Sequence, residues 1–307
     1  MPEINNPGSG SGGLGAANVN LLSQGRLTLL TGDPAPAADQ VGKGTIYFTP
    51  YKGDTIALFD GSAWEIMTFT EISIALAGLT SGKNYDIFAY DNAGVLTLEL
   101  GPAWTNDTTR SGPGALMLQD GVRVLAADPT RRFLGTFRAT AAGTTEDSKR
   151  KRFLINYYNR VARGLFTCPG YVDDGATTFW SSGAAVWAEA NSGVDSKVEF
   201  LSTGEDAYPY TANTTAYNTG VGGIVFFGIG RDSGTDARDA AFASSVAAGA
   251  YVCLSLSNNW QPSEGYHFLD MLANAAAGGT NNYAADTGPL GSAADSFTTV
   301  LEASIQG

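Results

Sequence analysis

The sequence predicts an all-β protein, an N-terminal antiparallel β-barrel or sandwich followed by a C-terminal jelly-roll-like β-sandwich. Three observations lead there. Short apolar and β-branched runs recur along the chain, each stopped by Gly, Asn, Asp or Pro. Two of the intervening turns, Asp60-Gly61 and Asp91-Asn92-Ala93-Gly94, carry residues suited to the positive φ of a tight hairpin. Of the 307 residues 43% are apolar, too many for a disordered tail, while 39 Gly and a charged fraction of 16% argue against long helices and coiled coils.

Residues 1–25 run through Gly8-Ser9-Gly10-Ser11-Gly12-Gly13, a composition that supplies no core of its own. They are expected to form a docking segment, with Ile4, Asn5, Asn6 and Leu14 as its candidate contacts. From Arg26 strands follow one another at 27–29, 45–49 (stopped by Pro50), 55–59, 63–69, 85–90, 95–100, 115–118, 122–126 and 133–138. Leu96, Leu98 and Leu100 alternate with Thr97 and Glu99, the mark of a half-buried strand. The stretch 146–160 carries acid before base, as a helix would favour, yet its aromatic and β-branched content from Phe153 to Tyr158 favours a strand passing from a first domain (26–164) into a second (165–307). In the second domain strands are expected at 177–180, 185–189, 198–201, 224–229, 250–255, 266–272 and 297–305. The small-residue stretch 236–250 is the best helical candidate, with an elaborated loop as its alternative.

Charge is divided unevenly. Residues 1–164 hold 15 Lys and Arg against 15 Asp and Glu, whereas residues 165–307 hold 3 against 15, so the second half carries the whole net charge of -12. An acidic, Lys-poor half repels phosphate backbones, and nucleic acid is not an expected partner. No window approaches the apolar length of a membrane span, and no basic segment followed by an apolar one opens the chain; a soluble protein made without a signal peptide is expected, with no membrane insertion. Cys168 and Cys253 stand 84 residues apart without Cys or His neighbours, so metal and redox chemistry are not signalled and buried thiols are expected.

Catalytic chemistry finds little purchase. The single histidine, His267, lies in an expected strand with Leu269 on its face and Tyr266 and Phe268 on the other, which suits packing better than a base. Glu189, Glu199, Glu205 and Asp206 are carboxylates of the kind a glycosidase pairs, but an acidic domain supplies such pairs by chance. Asp173-Asp174 and the spacing of Asp232, Asp236 and Asp239 invite a calcium reading without matching a known loop pattern. No catalytic residue, metal ligand or cofactor is therefore assigned. Trp180, Trp187, Tyr208, Tyr210, Trp260 and Tyr266 lie near Asn- and Gly-rich turns and are the candidates for stacking on sugar rings, against a role in core or interface packing. The basic run Lys149, Arg150, Lys151 and Arg152, with Arg160 and Arg163, is either a solvated face or a contact to an acidic surface.

A series of motifs runs through the first half: 45–53 (TIYFTPYKG), 57–64 (ALFDGSAW), 85–91 (YDIFAYD), 104–110 (WTNDTTR), 118–122 (LQDGV), 131–138 (RRFLGTFR) and 156–161 (NYYNRV). In this order they resemble a domain common in virion structural proteins of tailed bacteriophages, covering about residues 26–163. Members are tail fibres, head fibres or spikes, and the resemblance implies a β-rich attachment domain, a homotrimer, and partners among other virion proteins of capsid or tail. In the second half only 301–307 looks like the closing strand of such proteins. The resulting expectation is a non-enzymatic virion surface subunit whose acidic half faces host glycans; a capsid decoration (cement) protein is the alternative, and a tail-associated depolymerase a third.

Overall fold

The structure is a computed structural model that describes residues 16–169, 178–183, 185–193, 195–275, 279–286 and 299–307. The chain is all-β; no α-helix occurs among the described residues, and three short 3-10 turns are the only helical pieces among them. The proposed docking contacts Ile4, Asn5, Asn6 and Leu14 lie outside the described residues.

The first unit holds β1 (Gly25–Thr28), β2 (Gln40–Lys43), β3 (Thr45–Pro50), β4 (Thr55–Phe59), β5 (Trp64–Thr68), β6 (Ile72–Ala75), β7 (Asn84–Asn92), β8 (Val95–Leu100), β9 (Leu116–Gln119), β10 (Val122–Leu125) and β11 (Asp128–Arg138). β12 (Thr145–Asp147), β13 (Lys151–Arg152), β14 (Leu154–Asn156) and β15 (Ala162–Thr167) lead out of it. A sheet β1-β3-β6, a ribbon β4-β5 and a sheet β8-β7-β11-β10-β9, with β14 on β11, enclose one core that includes Leu27, Ile46, Phe48, Ile87, Leu98 and Phe137. The β7–β8 hairpin closes on Ala93 and Gly94 at φ 53 and 89, between the paired residues Asn92 and Val95. Those positive angles match the twist of the flanking strands. Gly135, inside the RRFLGTFR motif, sits where the β7–β11 register shifts; a Cβ there would lie 2.2 Å from the Ile155 carbonyl, so only glycine admits β14 beside β11.

Residues at the end of the expected docking segment belong to this unit. Leu22 and Gln24 exchange backbone hydrogen bonds with Ala57 and Thr55, and Arg132, wholly buried, donates to the carbonyls of Asn20 and Ala57 at 2.8 and 2.7 Å.

The second unit is a sandwich of β16 (Thr178–Ser182), β17 (Ala188–Glu189), β18 (Lys197–Thr203), β19 (Tyr208–Asn218), β20 (Ile224–Arg231), β21 (Ala237–Ser244), β22 (Tyr251–Trp260), β23 (Glu264–Ala275), β24 (Asn281–Asp286) and β25 (Val300–Gln306). One layer runs β18-β23-β20-β21; the other runs β15-β25-β19-β24-β16, with β22 also paired to β19. Phe200, Phe227 and Met271 from the first layer meet Tyr208, Tyr210 and Leu301 from the second in a dry core.

Two expectations are corrected here. The stretch 236–250 is neither helix nor plain loop: β21 occupies most of it and pairs along β20 from Ile224↔Ser244 to Gly230↔Ala237. Its exposure alternates residue by residue, with Arg238, Ala240, Phe242 and Ser244 outward. Ladder hydrogen bonds to a waiting sheet edge outweigh alanine's helix propensity. The stretch 146–160 is not one strand but is divided among β12, β13 and β14, turning at Ser148, whose N–H and carbonyl pair with Lys151.

The two units share backbone. β2, β12 and β13 continue the sheet of the second unit, because β13 pairs in parallel with β18 through Lys151↔Glu199 and Arg152↔Phe200. β15 lies antiparallel to β25 from Ala162↔Gln306 to Thr167↔Leu301, and Arg26 of β1 donates to the Gly307 carbonyl at 2.7 Å.

Candidate functional site

A trough of about 1130 Å³, open to solvent, lies where the units meet. Its floor is the outer face of the layer formed by β15, β25, β19 and β22, and its wall is Pro36, Ala37 and Lys149 of the first unit. The strand period of two decides what faces it. On β22, Val252, Leu254 and Leu256 pack toward the core, so Ser255, Ser257 and Asn259 point out and are exposed.

One row crosses the floor in register: Phe166 of β15 is opposite Glu302 of β25, which is opposite Thr211 of β19, which is opposite Ser257 of β22. Cross-strand neighbours have Cβ atoms about 5 Å apart, so the row is a continuous line of about 14 Å over three strand spacings. Phe166 is 39% exposed, and it is the one large apolar side chain exposed on this floor. Its backbone N–H donates to the Lys149 carbonyl at 2.8 Å, so the main chains of Lys149 and Glu302 lie on either side of that of Phe166.

Two buried arginines build the trough from beneath. Arg152 donates to the Gly164 carbonyl at 3.1 and 2.9 Å, fixing β15. Arg163 donates to the Pro36 carbonyl at 2.7 Å, fixing the wall. Both pair with Asp147, at 3.1 and 2.8 Å, one carboxylate oxygen each. The basic run is thus mostly a structural device within the chain. Arg150 pairs with Asp195, Lys151 with Glu199 at 3.8 Å, and Arg160 with Asp206 and Glu205. Lys149 alone of these cations has no partner for its side chain.

Most of the aromatic residues singled out for sugar stacking are committed elsewhere. Trp180, Tyr208 and Tyr210 are 6%, 1% and 2% exposed. Trp180 stacks on Tyr283 with ring centroids 4.1 Å apart, and the Tyr210 hydroxyl is held between Asp239 and Arg231; burial and the Asp239 carboxylate push that phenol up to about 12. Their rings present no free face to a ligand. Trp187, Trp260 and Tyr266 are half-buried. Trp187 meets Phe226 edge-on, Trp260 packs against Phe200 and His267, and Tyr266 lies under the Arg138 guanidinium at 3.7 Å. Burial, and the bond its hydroxyl donates to Glu199, raise the Tyr266 phenol above its ordinary value. Phe166 and Thr211 lie on β15 and β19, which the sequence does not mark as strands, while Glu302 and Asn259 lie on strands expected in whole or part (β25 and β22) but carry no motif; the polar alternation from Cys253 to Asn259 is the signal that points to the face.

His267 is 3% exposed, with Nδ1 2.7 Å from Asp232 Oδ2 and Nε2 2.9 Å from the Ser263 carbonyl and 3.3 Å from its hydroxyl. The ring lies between a carboxylate and a carbonyl, both acceptors, and its contact to the Ser263 hydroxyl is the longer of the two made by Nε2. Glu189, Glu199, Glu205 and Asp206 are each salt-bridged. Asp232, Asp236 and Asp239 bond separately to His267, Arg238 and Arg231, and no group of metal-ligating side chains occurs among the described residues. Asp173 and Asp174 lie outside the described residues. Cys168 is buried; Cys253, against expectation, is exposed, because its place on β22 faces outward.

No protein-family model and no curated protein matches the chain, so the phage resemblance rests on the quoted motifs alone. Solved structures offer remote likenesses. The insecticidal delta-endotoxin Cry8Ea1 of Bacillus thuringiensis matches at 10% identity and TM-score 0.28, over 92% of this chain and 52% of its own. Latent PorU of Porphyromonas gingivalis matches at 11% identity and TM-score 0.29, over 75% and 20% respectively. The infectious bursal disease virus Gx strain matches at 10% and 0.29, over 89% and 66%. The chain thus spans about half of the endotoxin and a fifth of PorU, and at such scores the likeness carries no argument.

Proposed function

We propose that the protein is a non-enzymatic surface subunit of a tailed-phage particle, a fibre or spike whose first unit attaches it and whose trough binds a host glycan. The trough carries this reading. It combines one exposed aromatic ring, a hydroxyl- and amide-lined floor and a size suited to a short oligosaccharide, the complement that sugars with apolar faces and many hydroxyls require. The motif series of the first half supports the virion assignment. Self-association, as a trimer, draws support from an apolar end: Val221, Phe242, Val246 and Tyr251 are 81%, 70%, 91% and 54% exposed, and their turns are tied by the bonds Ser245 N–H to Gly223 and Gly249 N–H to Asn218.

The same apolar end favours a second reading, a decoration subunit that clamps neighbouring capsid proteins. Particles carrying Gly164→Leu separate the two. Nothing lies within 4 Å of a Cβ at Gly164, so a leucine there is tolerated and stands in the trough beside Phe166 and opposite Ser304, obstructing the floor at the ring. Intact particles that no longer adsorb to host cells are the expected outcome. Particles that adsorb normally would remove the glycan reading, and particles made heat-sensitive by Val246→Asp but still adsorbing would favour decoration.

A further inference from the structure

Nearly every charged group around the trough is neutralised by a neighbour. Among the described side chains of the second half, each carboxylate has a hydrogen-bond or ion-pair partner except Glu302. In the basic run each cation has one except Lys149. Both exceptions line this trough, on either side of Phe166. Lys43, Lys52, Asp54 and Glu65 of the first unit are also unpaired, but they do not line the trough; of the open charges only Lys149 and Glu302 share this concave site, where a ligand can be their partner.

The two differ in what they can take. Glu302 is flanked by Phe166 and Thr211 in the floor, where a carboxylate accepts hydrogen bonds from sugar hydroxyls. Lys149 stands on the wall above Arg152 and Arg163, whose two charges share the single carboxylate of Asp147. Asp39 accepts from the Lys149 backbone N–H at 2.9 Å, so the corner holds three cations against two acids, and the cation without a side-chain partner in it is the Lys149 ammonium.

Resting on the glycan reading, we propose that the trough selects an anionic oligosaccharide laid along the row Phe166, Glu302, Thr211, Ser257. A sugar ring stacks on Phe166, its carboxylate or phosphate meets Lys149, and the following residue's hydroxyls meet Glu302, Thr211 and Ser257. An anionic group placed at the other end would face Glu302 and be repelled, so the charge pair also fixes the direction of the chain.

The test uses the purified full chain on an array of uronate-, sialate- and phosphate-bearing oligosaccharides printed beside their neutral counterparts. Acidic spots should bind at least about tenfold better than neutral ones, the discrimination expected of one charge-assisted hydrogen bond, and weaken as salt rises. Lys149→Glu should abolish the preference, Gly164→Leu should abolish binding, and the three acidic arms identify the anion. Neutral and acidic glycans bound equally, with Gly164→Leu still blocking both, would overturn the anionic inference and leave the glycan reading standing. No binding to any printed glycan, with the variants folded by circular dichroism, would overturn both.

Discussion

The two units solve the burial of polar groups differently. The first buries cations: Arg132 is fully enclosed on backbone carbonyls and beneath the Tyr158 ring, and Arg26 reaches the Gly307 carbonyl, with burial lowering its pKa to about 10. The second buries phenols, with Tyr208, Tyr210 and Tyr283 among its largest enclosed side chains, and keeps its described acids other than Asp270 nearer the surface. Of its own cations it has only Lys197, Arg231 and Arg238, paired with Glu189, Asp239 and Asp236. Five of the remaining acids are met across the seam: Glu264 by Arg110 and Arg123, Glu205 by Arg123 and Arg160, Asp206 by Arg160, Asp195 by Arg150 and Glu199 by Lys151. The charge asymmetry that looks like two independent domains in the sequence is a complementary pair in the fold.

The largest test of that complementarity is Arg110→Met. Arg110 bonds Asp86 at 2.6 Å and Glu264 at 2.6 Å and lies 4.3 Å over the Trp104 ring. Asp86 has a side chain only 3% exposed, so losing the guanidinium leaves a buried carboxylate to Thr136 alone. The expected cost is about 3–5 kcal/mol, with calorimetry showing one transition for the native chain and two for the variant as the units uncouple. Arg110→Met with Asp86→Asn should recover most of the loss. One undivided transition with a loss below about 1 kcal/mol would show that backbone pairing, not charge, joins the units.

How legible the units were follows from their strand chemistry. The β7–β8 hairpin was readable because Leu96 and Leu98 are buried and alternate with polar residues, and because Ala93-Gly94 suits its turn. β19 was not, because Pro209, Asn213, Thr214 and Thr215 break the apolar pattern; what makes it a strand is a partner on each side, β22 and β25, that no local window contains. β21 was misread for another reason: its alanines favour helix, although only five residues separate it from its partner β20. The trough suffers doubly: its wall and floor lie more than 100 residues apart in sequence at Pro36 and Phe166, and its polar floor looks like ordinary solvent-facing sheet until the unpaired Lys149 and Glu302 are placed on it.

Asp270 sharpens the picture of the acidic unit from inside. Its side chain is wholly buried, Oδ1 accepts from Ser196 at 2.6 Å, and Lys197 stays 3.6 Å from Oδ2, which has no hydrogen bond. Burial pushes this carboxyl from 3.8 up to about 6. The folded chain therefore holds the proton more tightly than the unfolded one, and stability falls as pH rises from about 4 to 6 and stays lower above that. Asp270→Asn keeps an acceptor for Ser196 and removes the charge. It should gain up to about 3 kcal/mol at pH 7 relative to the native chain and lose that pH slope, as read by urea unfolding at pH 4 and 7. A slope unchanged in the variant would place the titrating group elsewhere.

The smallest expected effect is at the exposed end of the same seam. Arg150 and Asp195 form an ion pair whose side chains are 46% and 35% exposed, in contrast to the 13% and 3% of Arg110 and Asp86. Water and salt screen the outer pair, and ordering two long side chains offsets most of its attraction. Arg150→Ala should cost less than about 1 kcal/mol and nothing measurable in 0.5 M salt, at which the Debye length is only about 4 Å. If it cost as much as Arg110→Met, depth of burial would not be what ranks the contacts of the seam. The charge count itself would, and every cation of the basic run, including the Lys149 assigned to a ligand, would have to be weighed as part of the fold.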